Sequence, residues 1–133
     1  MNFPYTKLPG SPDATLRPLV PVRFIYKDKA TLPILAMVDS GADYSYVTSE
    51  VADLLGIKLN KEKSVRSFGV DGALFLAYES AVELELGGHR FTAKVLFADK
   101  LGAFKVILGQ EDFFSKARIV FERYKWNLEV TFK

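Results

Sequence analysis

The chain has 133 residues, 49% of them apolar, and its 18 Lys and Arg against 16 Asp and Glu give a formal net charge of +2. That length and composition suit one domain with one buried core and exclude a disordered tail. The near-balanced charge excludes a phosphate-tracking surface: the densest basic stretch, Lys58, Lys61, Lys63 and Arg66, is broken by Glu62 and reads as a solvated face, so no nucleic-acid partner is expected.

Residues 1–18 hold four of the six prolines. Proline removes a backbone donor, so residues 1–17 are expected as an extended arm outside the sheet, ahead of a single domain over 18–133. No basic segment followed by an apolar one opens the chain, and no apolar run approaches the roughly twenty residues that span a bilayer. The expectation is a cytoplasmic protein with no membrane partner.

Beyond the arm the hydrophobic period is mostly two. LVPVRFIY (19–26) alternates as a strand does, KDKA is a polar turn, and TLPILAMV (31–38) returns as a second apolar run that delivers Asp39 at its far end. Thr48 is placed to cap a short helix with Val51, Leu54 and Leu55 on one face and Gly56 at its stop. SVRSFGVDGALFLAY (64–78) reads as two strands joined by a tip that holds Gly69, Asp71 and Gly72. In SAVELELGGHRFTAKVLFA (80–98), Val82, Leu84 and Leu86 alternate with Glu83 and Glu85, and Gly87 and Gly88 make the turn. KVILGQEDFFSKA ends a strand at Gly109 and opens a brief helix, and RIVFE and WNLEVTF finish as a strand pair. Phe113, Phe114, Phe121 and Trp126 are expected in the core. The class is mainly β, a small barrel or sandwich with one or two short helices.

Few side chains remain for chemistry. The absence of Cys excludes a thiolate nucleophile and a disulfide framework. His89, the single histidine, sits beside the Gly87 turn and far in the pattern from any Ser it could serve as base. One His without Cys offers no metal-ligand spacing, and Gly69 and Gly72 precede no helix that carries a Lys, so no metal, nucleotide or other cofactor is expected. The carboxylates are left. Burying an ionised one without a partner costs roughly several kcal/mol, yet in AMVDSGADYSYV (36–47) Asp39 ends an apolar run and is followed at once by Ser40, Gly41, Ala42 and Asp43.

This Asp-Ser-Gly loop after a hydrophobic strand, together with VILGQEDFF (106–114) late in the chain and a Gly-tipped hairpin between them, resembles the retroviral-type (retropepsin-like) aspartic protease family over residues 18–133. The resemblance implies a small closed barrel of the acid-protease type with a flap hairpin, and an aspartic endopeptidase that needs no cofactor. The chain holds a single Asp followed by Ser or Thr and then Gly, so the resemblance implies a homodimer in which Asp39 of each subunit meets at the two-fold axis. It implies catalytic roles for Asp39, Ser40 and Gly41, with the Ser40 hydroxyl locking the two loops across the axis. Ala42, Asp43 and Ile107 would contact an extended polypeptide substrate, as would Phe68, Gly69, Val70, Asp71 and Gly72 of a flap placed at 66–76. Leu108 and Gly109 would support the loop from below, and the strand NLEVTF would lie interleaved between subunits.

The chain departs from the family at two places. Gln110 stands where an Arg commonly pairs with the carboxylate that Asp43 matches, with Arg118 a candidate substitute, and QEDFF is one residue longer than the commonest form. Alternatives stand beside these readings. Asp39 and Asp43 are also compatible with an Asx turn and a solvent-facing loop acid, and Phe68 and Phe75 with flap anchors or plain packing. The second functional reading is a catalytically silent dimeric module that binds peptides or assembles on the same fold.

Overall fold

A computed structural model describes residues 1–10, 12, 14–68 and 72–133; it describes nothing of the Phe68 side chain. In chain order the elements are β1 (Asn2–Pro4), β2 (Leu19–Tyr26), β3 (Lys29–Ala30), β4 (Ile34–Val38), β5 (Ser45–Thr48), α1 (Ser49–Leu55), β6 (Ser64–Phe68), β7 (Leu74–Leu86), β8 (His89–Ala98), β9 (Val106–Leu108), β10 (Ala117–Glu122) and β11 (Asn127–Phe132). The expected strand at 19–26 and the helix that stops at Gly56 are both present, Gly56 taking the left-handed conformation (φ 72°) that a residue without Cβ adopts freely.

The strands β2, β4, β9, β5, β8 and β7 follow one another in the sheet, and pairing of β2 with β7 (Arg23 opposite Glu85, Phe24 opposite Leu84) closes them into a six-stranded barrel. Alternation fills its interior: Val20, Val22 and Phe24 from β2, Val82, Leu84 and Leu86 from β7, and Ala93, Val95 and Phe97 from β8 are all buried. Each larger side chain among them contributes about 1.5–3 kcal/mol by leaving water. On the facing side of β7 and β8, Arg23, Glu83, Glu85 and Arg90 form an ion-pair cluster, with Glu85 accepting from Arg23 at 3.0 Å and from Arg90 at 2.8 Å.

Several expectations need correction. The arm does not lie outside the sheet, because β1 pairs antiparallel with β11 in a second, three-stranded sheet of order β1-β11-β10. It is possible because Pro4 sits on an edge strand, where a missing donor breaks no ladder. Both edges of β11 are therefore taken within the chain, so the place expected for NLEVTF between subunits is already filled. The second strand expected within 64–78 and the first of the hairpin expected over 80–98 are one continuous β7. Thr48 stands at the helix N-cap, but its hydroxyl makes no capping bond. Phe113 is buried and Phe114 half-buried, whereas Phe121 and Trp126 are exposed, Trp126 having a left-handed backbone (φ 56°) at the β10–β11 turn with the Arg123 guanidinium over its ring.

Candidate active site

The site is built where β9 slides between β4 and β5. It runs parallel to β4 (Val38 opposite Leu108) and antiparallel to β5 (Tyr46 opposite Ile107). The loop 39–44 that joins β4 to β5 must therefore cross over the end of β9, and the segment that follows β9 holds it there. Asp39 N–H donates to the Leu108 carbonyl at 2.9 Å, Gln110 N–H to Ala42 at 2.8 Å and Glu111 N–H to Asp43 at 3.0 Å. Ser45, buried at the head of β5, accepts from Gly109 N–H at 3.0 Å.

Within the loop Asp39 orders its own neighbours. Gly41 N–H donates to Asp39 Oδ1 at 2.9 Å and Ala42 N–H to the Asp39 carbonyl at 3.2 Å, which closes a tight turn with the half-buried carboxylate at its centre. The turn geometry anticipated as an alternative is thus present, and it orients the carboxylate without using its second oxygen. Ser40 and Gly41 lie exposed on the rim beside it. Gly109 is buried directly beneath: a Cβ there would overlap the Tyr44 carbonyl oxygen and lie 2.6 Å from that of Ala42. The predicted supports Leu108 and Gly109 and the loop residues 39–43 are therefore one hydrogen-bonded unit.

The replacement at 110 has a structural answer. Gln110 Nε2 donates to the Ser40 carbonyl at 2.8 Å, so a neutral amide ties the late segment to the loop. Arg118 does not substitute for an Arg at 110; it pairs with Glu129 at 3.5 Å across β10 and β11. Asp43 is exposed, with its main chain engaged by Glu111. The longer QEDFF segment turns with Asp112 in a left-handed conformation (φ 66°) and shrinks the brief helix to one 3₁₀ turn over Phe114–Lys116.

The hairpin between the two motifs is β6 with the first half of β7, Ser64 opposite Tyr78 through Phe68 opposite Leu74. Its tip end is fastened to the barrel beside the loop: Tyr46 of β5 shares a hydrogen bond with Ser67 at 3.2 Å and meets the Phe75 ring edge-on at 6.0 Å. Of the expected tip residues, Gly72 is exposed with φ 80°, while Gly69, Val70 and Asp71 lie outside the described residues. Ile107 is half-buried on β9, in line with the loop. Sequence reasoning missed the roles of Ser45, Tyr46 and Gln110. A small polar residue on the inward face of SYV was the one available signal.

The family profile described as aspartyl protease matches residues 20–111. Among solved structures, EIAV protease complexed with the inhibitor HBY-793 is similar to this chain, with a TM-score of 0.55, 24% sequence identity, and coverage of 71% of this chain and 82% of that one. At that identity the likeness bears on the fold. No curated protein is matched by the chain.

Proposed function

The chain belongs to the aspartyl protease family, and from that premise we propose that it is an aspartic endopeptidase acting as a homodimer, with water activated between the Asp39 carboxylates of two subunits. The observation that carries this reading is the loop itself. Asp39 is fixed by Leu108, by its own bond to Gly41 and by the braces at Ala42, Asp43 and Ser45.

Hydrolysis without a nucleophilic side chain needs a base for the attacking water and an acid for the substrate. One carboxyl group cannot hold both states at once. Two of them sharing a proton can, since like charges at hydrogen-bond distance do not both ionise. In the proposed reaction the ionised carboxylate takes a proton from water as its oxygen attacks the scissile carbonyl carbon, and the protonated carboxyl donates to the carbonyl oxygen. Protonation of the amide nitrogen then lets the C–N bond break. Ser40 would bridge the two loops, and the exposed Gly41 and Asp43 with the half-buried Ala42 would bind the substrate main chain, as Ile107 would its side chains. The hairpin around 66–76, including Phe68, Gly69, Val70, Asp71 and Gly72, would close over an extended polypeptide and exclude water.

The test is cleavage of an unfolded protein by wild type and Asp39→Asn between about pH 4 and 7. The expected result is a fall of about 10²–10⁴-fold in the variant, the usual worth of positioned acid and base groups, with the dimer intact. Retained binding of extended peptides by both forms, with no cutting by either, would instead favour the silent module.

A further inference from the structure

We propose that Asp112, paired with Lys116, is a positioning residue for the Asp39 carboxylate: the two side chains stand in for a missing length of strand beside β8 and so fix the segment that holds the Asp39 loop. This rests on the reading of Asp39 as half of a shared dyad.

The gap comes from unequal strands. β8 pairs with β7 along its whole length, from His89 to Ala98, but with β5 only from Val95, which lies opposite Ser45. Residues two apart on a strand turn their N–H and C=O groups to the same edge. Thr92 and Lys94 therefore present a carbonyl and an amide where β5 does not reach. Two side chains take them: Asp112 Oδ2 accepts from the Lys94 N–H at 2.8 Å, and Lys116 Nζ donates to the Thr92 carbonyl at 2.8 Å. Asp112 Oδ1 and Lys116 Nζ are themselves 3.5 Å apart. Together they supply the acceptor and the donor that a neighbouring strand would have supplied.

The clamp meets the site through the two residues before Asp112. Gln110 and Glu111 hold the carbonyls of Ser40, Ala42 and Asp43 at 2.8, 2.8 and 3.0 Å, so whatever fixes these two residues along β8 fixes the loop. Burial of Phe113 draws the segment onto the core, but an apolar contact has no direction and tolerates sliding. The Asp112 bond has direction, because a charge-assisted bond to an amide is short and specific in geometry. Its backbone bends to make that bond: Asp112 is left-handed (φ 66°), and its N–H donates to Ser115 Oγ at 3.0 Å. Asp and Asn are the types other than glycine that adopt this conformation most readily. The two side chains are 24% and 41% exposed, and an ion pair so open to water adds little stability. Such a clamp sets geometry more than melting temperature.

Two variants separate the carboxylate from the backbone that carries it. Asp112→Gly keeps the left-handed conformation and loses the acceptor, whereas Asp112→Asn keeps both. The assay is steady-state cleavage of a peptide that wild type cuts. Asp112→Gly is expected to lower kcat by about 10–100-fold, the scale of a small misplacement of reacting groups, with KM within about threefold of wild type and Tm within about 5 °C. Asp112→Asn should recover kcat to within about threefold, since its amide oxygen accepts from the same N–H. In Asp112→Gly the Gln110 and Glu111 amides should also exchange with deuterium at least about tenfold faster by NMR, with those of β2 unchanged. A Gly variant with wild-type kcat, or an Asn variant as slow as Gly, overturns the positioning role and leaves the dyad standing. Unchanged exchange at Gln110 and Glu111 overturns the clamp itself. A wild type that cuts nothing overturns the dyad and the positioning role with it, while faster exchange in the Gly variant would still uphold the clamp.

Discussion

Substituting Gly109 by Ala tests whether the late segment holds the Asp39 loop. The glycine is not needed for its backbone angle but for space. The added methyl would overlap the Tyr44 carbonyl oxygen and lie 2.6 Å from the Ala42 oxygen, and both are backbone atoms that no rotamer change can move aside. The loop must lift, and three bonds lengthen together: Gly109 N–H to Ser45, Gln110 N–H to Ala42 and Glu111 N–H to Asp43. At roughly 1 kcal/mol for each net bond, with about 1–3 kcal/mol for overpacking, the loss is about 4 kcal/mol. For a domain of this size that lowers Tm by roughly 15 °C. Gly41→Ala is the control, since its methyl meets only the Asp39 Oδ1 at 3.3 Å, the far end of a side chain that can yield. Thermal melts by circular dichroism read both. A Gly109→Ala melt within about 3 °C of wild type, on the same scale, would falsify the claim that this contact carries the loop.

Two further predictions concern the frame around the site. Thr48 Oγ1 is buried and has no hydrogen-bond partner among the described residues, so Thr48→Val should leave the packing intact, remove the desolvated hydroxyl and stabilise by about 1 kcal/mol; a lower Tm would show that the hydroxyl is satisfied in solution. In the barrel wall, hydrogen bonds from Arg90 and then Arg23 hold the Glu85 carboxyl below its ordinary value of 4.5. Folded Glu85 thus binds fewer protons than unfolded Glu85 as pH drops below that value, and its contribution is complete above 4.5 and lost as pH falls through the folded value. Wild type should melt above Glu85→Gln at pH 7, with the gap closing towards about pH 3; a gap independent of pH would sink this account.

Local rules read the elements well wherever one environment persists along them. β2 keeps its buried alternation over 19–26, and Gly87 and Gly88, both at positive φ, turn the hairpin where two glycines meet. They fail where a strand changes surroundings. β7 borders β6 at its start and β2 near its end, and across Tyr78, Glu79 and Ser80 every side chain is half-buried, so the period of two vanishes at the crossing and one strand reads as two. Trp126 fails for the opposite reason: an aromatic side chain signals burial, but here the local turn puts the backbone at positive φ and the ring stacks under Arg123 at the surface.

The site was legible in its backbone-bound residues and opaque in its side-chain braces. Asp39 and Gly109 are marked by residue type: a carboxylate ends an apolar strand, and only glycine leaves room under the Tyr44 carbonyl. Gln110 carries no such mark. Read through the family resemblance it is a missing cation, and only the direction of its side chain reveals that it reaches the Ser40 carbonyl at 2.8 Å. Substituting a neutral donor to a carbonyl for an ion pair has a consequence for assembly. It anchors the loop inside one chain, so the loop is braced before any second copy arrives. The second carboxylate that the proposed dyad requires would then meet a loop already ordered around Asp39.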